Sequence, residues 1–442
     1  MKTPIYAKHL KGLVERNEID VKLVDEAVLR ILNLKNDLGL FENPYRGADA
    51  ELEKKTINSA ENKKTARTLA EESIVLLKND NNVLPLDKNK KIALIGPYAD
   101  ERSLVGLWAI AADYKLITPL KDAVKSKIGE NLACVHGCDI VDDYSFMGEF
   151  AAYFKNTVEK RDAQKDLEEA LEAAANSDVI VVALGEHTFQ SGEAGSRTDL
   201  TINKAQVELL EKLSQLNKPI VCVLFNGRPL VLDKVLDKVD GLIEAWFPGS
   251  EGALAIADIL FGDVNPSGKL TISFPMNVGQ IPVHYNEFKT GRPLIGSGHT
   301  GRFVSKYIDA PNAPRYPFGY GLSYTEFEYG DIKLDTNILE IKGSIRASIS
   351  IKNIGAVKGK EIVQMYIQDV AGSVVRPVKE LKGFKKIELE PNESVQVEFE
   401  ISENDLKFFT KDMKFEAEKG KFKLFIGRNS SDVKEMAFQY IG

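Results

Sequence analysis

The chain has 442 residues, which at roughly 150 residues per domain points to two or three domains. Its 58 basic and 65 acidic side chains give a net charge of −7, with 43% of residues hydrophobic and 28% charged. That composition supplies several cores and excludes disorder, collagen-like repeats and nucleic-acid binding through a large positive field. No apolar run reaches the roughly 18 residues of a membrane helix, so no membrane span is expected.

In chain order, the first 45 residues read as two helices. Tyr6, Leu10, Leu13 and Val14 share one helical face; Asp20 can cap a second helix carrying Val24, Val28, Ile31, Leu32 and Leu38, stopped by Gly39 and by Pro44 beyond. Two short amphipathic helices have little to bury their apolar faces against, so they read as the tail of something larger. Residues 46–55 are polar and read as a linker.

From 59 to 275 helix and strand alternate. A helix over 59–73 leads into strand 74–77, strand 92–95 ends at Gly96, and helix 164–175 precedes strand 179–184. Helix 203–215 precedes strand 220–225, and strand 241–245 precedes helix 250–260. Short, wholly apolar strands between amphipathic helices predict a mainly parallel sheet covered on both faces, an α/β domain. Ligand loops should leave the carboxyl ends of its strands, at Gly96, Gly185, Asn226 and Trp246. Periodicity fades between 275 and 330, where Gly, Pro and aromatic residues dominate. From Asp331 the pattern alternates, as in 344–351, 363–368 and 395–400, and predicts a β-sandwich.

Three cysteines cannot all pair, which argues against a disulfide scaffold. Cys134, His136 and Cys138 lie close in sequence without the second ligand pair of a structural zinc site, so no metal and no cofactor is expected; the segment reads as a strand end. His136, His284 and His299 have no clustered partners and read as structural or surface residues. The stretch 262–271 has some features of a phosphate loop, but its spacing fails and it should turn into a strand over 270–274.

The loop 185–200 is more informative. It follows the most hydrophobic strand and holds Glu186, His187, Glu193, Arg197 and Asp199 among glycines. A carboxylic acid on such a loop can serve as a general acid, and glycoside hydrolysis needs one acid to protonate the departing oxygen and a second carboxylate to attack or activate water. The alternative is a solvated loop in which Arg197 and Asp199 pair. Trp246 at another strand end could offer a flat platform for a sugar, or fill the domain's own core.

Five motifs in order resemble glycoside hydrolase family 3, in its bacterial β-glucosidase branch. They are residues 20–32 with 39–45, residues 73–79, Ser191-Gly192-Glu193-Ala194 with Ser196-Arg197, residues 246–252, and Tyr316-Pro317-Phe318-Gly319-Tyr320-Gly321-Leu322-Ser323-Tyr324. The resemblance implies a (β/α)8 barrel, an α/β sandwich and a fibronectin-III-like β-sandwich. A barrel takes about 250 residues, and this chain would hold only its last helices. The implied boundaries are 1–58 for barrel-derived helices and linker, 59–290 for the α/β sandwich, 291–330 for a connection and 331–442 for the fibronectin-III-like part.

The resemblance makes Glu193 the general acid/base and leaves the nucleophile, a barrel aspartate in a Ser-Asp-Trp type motif, outside this sequence. Retention places the two carboxyl groups about 5–5.5 Å apart. Arg197, Trp246 and Glu186 are expected near substrate, with Arg197 holding the loop or touching the sugar and Trp246 on the aglycone side. The implied function is the C-terminal portion of a retaining β-glucosidase, acting on a β-glucoside or oligosaccharide with a separate barrel chain as possible partner. The competing reading is an inactive carbohydrate-binding or scaffold remnant. Residues 1–5 show no signal peptide, which suggests a cytoplasmic chain.

Overall fold

The computed structural model describes residues 4–109, 112–150, 161–294 and 301–442, so the expectation for His299 falls outside the described residues. The chain divides into two units, 1–65 and 66–442.

The first unit holds α1 (Ile5–Glu15), α2 (Val21–Asp37) and α3 (Ala50–Thr56). Asp20 caps α2 as expected, accepting from Lys22 N at 2.9 Å. The stretch read as a linker contains α3. Asp49 accepts from the Glu51 and Leu52 amides, and acidic residues at its start with lysines at its end complement the helix dipole. None of the three helices has a buried residue. Tyr6, Val28 and Ile31 are 66%, 49% and 56% exposed, while Leu10 is half-buried.

A further helix, α4 (Ala60–Ser73), leads to a six-stranded sheet in the second unit. Its strands are β1 (Val75–Asn79), β2 (Ile92–Ile95), β3 (Leu132–Val135), β4 (Val179–Gly185), β5 (Ile220–Phe225) and β6 (Gly241–Glu244). They lie in the order β1-β6-β5-β4-β2-β3, with all pairs parallel except β1–β6. Among the connecting helices are α5 (Leu120–Ile128), α6 (Ala163–Ala175), α7 (Lys204–Ser214), α8 (Asp233–Leu236) and α9 (Gly252–Leu260).

Alternation on β4 shows why its sequence is apolar throughout. Val181 and Ala183 join one core with residues of α5 and α9, while Ile180, Val182 and Leu184 join a second with residues of α6 and α7. Both faces are covered, and each fully buried aliphatic side chain contributes about 1.5–3 kcal/mol of transfer free energy. The segment read as a strand end at Cys134 is the end of β3, whose four residues leave little period to read, and α5 was not anticipated. After β2 the chain moves to one side for β3, then returns to build β4, β5 and β6 on the other. The carboxyl ends of β2 and β4 therefore flank a topological switch point, where open α/β sheets form crevices.

Residues 270–274 do not form the expected strand. Only an isolated bridge joins Phe274 to Tyr316, and Leu270 N donates to Tyr320 O at 2.8 Å. The partner is the irregular aromatic segment, whose turns prevent a continuous ladder. That segment ties several elements together: Leu322 N donates to Leu76 O at 2.8 Å and the Tyr324 hydroxyl donates to Ile259 O at 2.8 Å. Gly319, at φ +83°, sits where a Cβ would lie 2.0 Å from Gln364 Oε1, so a larger residue would strain the backbone and displace the Gln364 amide.

The rest is a β-sandwich. It begins at β7 (Phe327–Tyr329), followed by β8 (Lys333–Leu334), β9 (Ile338–Leu339), β10 (Ser344–Asn353) and β11 (Gly359–Asp369). The series continues through β12 (Glu380–Leu389), β13 (Ser394–Ser402), β14 (Phe408–Phe409), β15 (Phe415–Glu416), β16 (Gly420–Gly427) and β17 (Val433–Tyr440). One sheet runs β13-β10-β7 with β8 also on β10; the other runs β12-β11-β16-β17-β9. Ile345, Ala347, Ile349 and Ile351 alternate inward from β10, matching the predicted period of two. Lys269, beside the α/β sheet, pairs at 3.0 Å with Glu361 of β11, both nearly buried.

Candidate active site

The loop after β4 leaves the sheet at the switch point. Gly185 is required there, since a Cβ would stand 1.8 Å from Phe225 O. Glu186 follows, and its side chain is 0% exposed. A carboxylate so placed must be paired. Arg197 Nη1 donates to its Oε2 at 2.9 Å, Gly227 N donates to Oε1 at 2.9 Å, and Arg228 Nε lies 3.4 Å from Oε2. The Tyr98 hydroxyl, from the loop after β2, donates to Glu186 O at 2.6 Å. Tyr98 stacks on Phe225 at 4.5 Å, and its burial pushes the phenol well above its ordinary pKa.

Arg197 therefore pairs with Glu186 and not with Asp199, contrary to the solvated-loop alternative. The buried carboxylate is the more demanding partner, and Asp199 instead accepts from the Thr201 amide and hydroxyl, both at 2.9 Å. Those bonds hold Asp199 below the usual carboxylate range. Arg197 Nη2 donates to Thr201 O at 2.9 Å. His187 packs against the rings of Tyr144, Phe146 and Phe189, and burial lowers its pKa.

Glu193 lies at the tip. Gly195 N donates to Gly192 O at 3.1 Å, so Glu193 and Ala194 are the central pair of a four-residue turn. Ala194 takes φ +60° there. Glu193 is exposed, with no hydrogen bond or ion pair among the described residues. Trp108, 63% exposed, and Leu107 lie against Gly192.

Trp246 packs on the domain's own core and also reaches a cleft. Its ring is 5.9 Å from Phe274 of the core, while its other side borders a cleft of about 700 Å³ with Arg228, Pro229, Phe318 and Phe384. Its amide, at φ +55°, donates to Glu244 Oε1 at 2.9 Å.

Residues 74–324 match the Glycosyl hydrolase family 3 C-terminal domain, and residues 361–430 match the Fibronectin type III-like domain. The chain belongs to glycoside hydrolase family 3. It is 41% identical over 444 residues to a periplasmic beta-glucosidase of Salmonella typhimurium, covering 99% of this chain and 58% of that protein. A beta-xylosidase of Formosa agariphila is 39% identical, with 95% and 56% covered. The beta-glucosidase of Listeria innocua solved with isofagomine superposes at a TM-score of 0.90 and 40% identity, covering 100% of this chain and 58% of that one. The chain thus spans a little over half the length of these family 3 relatives.

Both domains of this family that the sequence led one to expect are present, the α/β sandwich and the fibronectin-like sandwich. No described helix is long and apolar enough to cross a membrane. The Salmonella relative is named periplasmic, which leaves the cytoplasmic expectation without support. Among the described residues no three His, Cys, Asp or Glu side chains are grouped to share a metal. The structure gathers Glu186 and Arg197 into one buried pair below the turn of Glu193, and places Trp246 on the cleft beside Arg228. Sequence reasoning missed Arg228, Tyr98, Trp108 and Glu244; for Tyr98, Arg228 and Glu244 the available signal was a place in or just after a predicted strand end, and for Trp108 there was none.

Proposed function

We propose that this chain is the acid/base-bearing part of a retaining β-glucosidase. The observation that carries the reading is Glu193: an exposed carboxyl, unpaired among the described residues, on a turn at the switch point whose loop is held by the buried Glu186. In the first step its proton goes to the glycosidic oxygen as the C1–O bond breaks and an aspartate of a barrel domain bonds to C1. In the second step the Glu193 carboxylate takes a proton from water, whose oxygen bonds to C1 as the C1–aspartate bond breaks, releasing the sugar and the aspartate carboxylate. The aspartate is implied by the family resemblance and belongs to no motif of this sequence.

A barrel-bearing partner is supported by the first unit, where Tyr6, Val28 and Ile31 present apolar surface to solvent. The names of the relatives support a β-glucoside or β-xyloside as substrate. In this reading Trp246 borders the aglycone side, Arg197 holds the acid loop, and Glu186 acts through Arg197 without touching the sugar.

The test is to assay the chain on an aryl β-glucoside, alone and with a separately made barrel domain of the family, following the product anomer by NMR. Turnover with retention only in the mixture is expected. Robust turnover by the chain alone would refute the two-part reading, and sugar binding without turnover in the mixture would favour a binding or scaffold remnant.

A further inference from the structure

Arg228 belongs to the turn after β5, about 35 residues along the chain from the tip of the acid loop, yet its guanidinium reaches that loop twice. Nη2 donates to Gln190 O and to Gly195 O. These two carbonyls stand on either side of the turn that presents Glu193. Nε faces the Glu186 carboxylate at 3.4 Å. Arg197 shares the Glu186 carboxylate, but its other bond runs to Thr201 O, so the contacts to Gln190 and Gly195 are made by Arg228.

We propose that Arg228 is a positioning residue for Glu193: anchored on buried Glu186, it ties both legs of the acid-bearing turn and fixes where the proton is delivered. The inference rests on Glu193 being the general acid/base. A planar guanidinium with donors in a fixed fork can hold two carbonyls and a carboxylate at once, whereas a lysine ammonium is a point charge on a flexible stem. The turn needs such a tie because Glu193 makes no bond of its own among the described residues, and Ala194 occupies a left-handed conformation that only its surroundings can hold. A displacement of about 1 Å at the donor can cost on the order of 100-fold in rate, so the clamp acts on the chemistry through the position of Glu193.

The test has two arms, using Arg228→Ala, with Arg228→Lys if the first does not fold. In the isolated chain, amide hydrogen exchange is followed for peptides covering 187–201 and for β4 and β5. The expected result is a loss of protection of about 10-fold or more in the loop with the strands unchanged. Equal loop protection in variant and parent would overturn the clamp.

In the chain assembled with a family barrel, kcat/KM is compared for an alkyl β-glucoside, which needs the acid, and for 2,4-dinitrophenyl β-glucoside, which does not. The expected loss is about 10–100-fold on the first and under about 3-fold on the second, with Glu193→Ala showing the same split more strongly. Equal losses on both substrates in Arg228→Ala, beside a clear split in Glu193→Ala, would make Arg228 merely structural. No split in Glu193→Ala would instead remove the acid assignment, and the positioning role with it.

Discussion

Glu244 ends β6 with its side chain fully buried, Oε1 accepting from Trp246 N at 2.9 Å and Oε2 without a donor among the described residues. Burial pushes this carboxyl well above its ordinary pKa; the Trp246 amide and the neighbouring Asn226 oppose the shift, and the Glu186 carboxylate adds to it. Cys222 on β5 is the other titratable group facing it, and its thiol is itself raised by burial. The folded chain therefore keeps a proton on Glu244 that the unfolded chain releases near pH 4.5. Above that pH the native state binds one proton more, so stability from this group falls by about 1.4 kcal/mol per pH unit until the folded pKa is passed. The stabilising contribution is complete below the unfolded value and lost as pH rises.

Glu244→Gln keeps the shape of the neutral acid and removes the titration. Urea unfolding followed by circular dichroism at pH 5, 6, 7 and 8 should show the variant gaining on the parent by about 2–3 kcal/mol between pH 5 and pH 7. A constant offset at every pH would mean that Glu244 is ionised in the fold, and the burial argument would fail.

Three further outcomes are expected. Lys269→Met leaves Glu361 buried without its cation and should cost about 3–5 kcal/mol, most of it recovered when Glu361→Leu is added; simple additivity in that double-mutant cycle would contradict the pairing. Gly185→Ala drives a Cβ into Phe225 O and should destabilise by about 1–3 kcal/mol or more, read as a lowered melting temperature, with an unchanged melt refuting the close approach. Burial pushes the Cys134 thiol up to about 11 and those of Cys138 and Cys222 higher still, so all three should resist Ellman's reagent at pH 8 until the chain is unfolded. Rapid labelling of Cys138 or Cys222 in the native chain would count against their burial, and rapid labelling of half-buried Cys134 against its raised pKa.

Elements with a strong local period were legible from residues alone. The apolar runs of β4 and β5, the cap at Asp20 and the alternation of β10 each state their conformation within a few residues, because side-chain burial repeats with the backbone's own geometry. The motif around Glu193 pointed to the acid through family resemblance, and the chain order placed its loop at a strand end. What the acid rests on was decided only when the strands lay side by side. Arg197 chose Glu186 over the nearer-in-sequence Asp199 because one carboxylate is sealed from water and the other is not. Arg228 entered the site because β5 packs beside β4, bringing a turn some forty residues downstream against Glu186. Such pairings depend on desolvation and on neighbours in space, and neither exists until the sheet has formed.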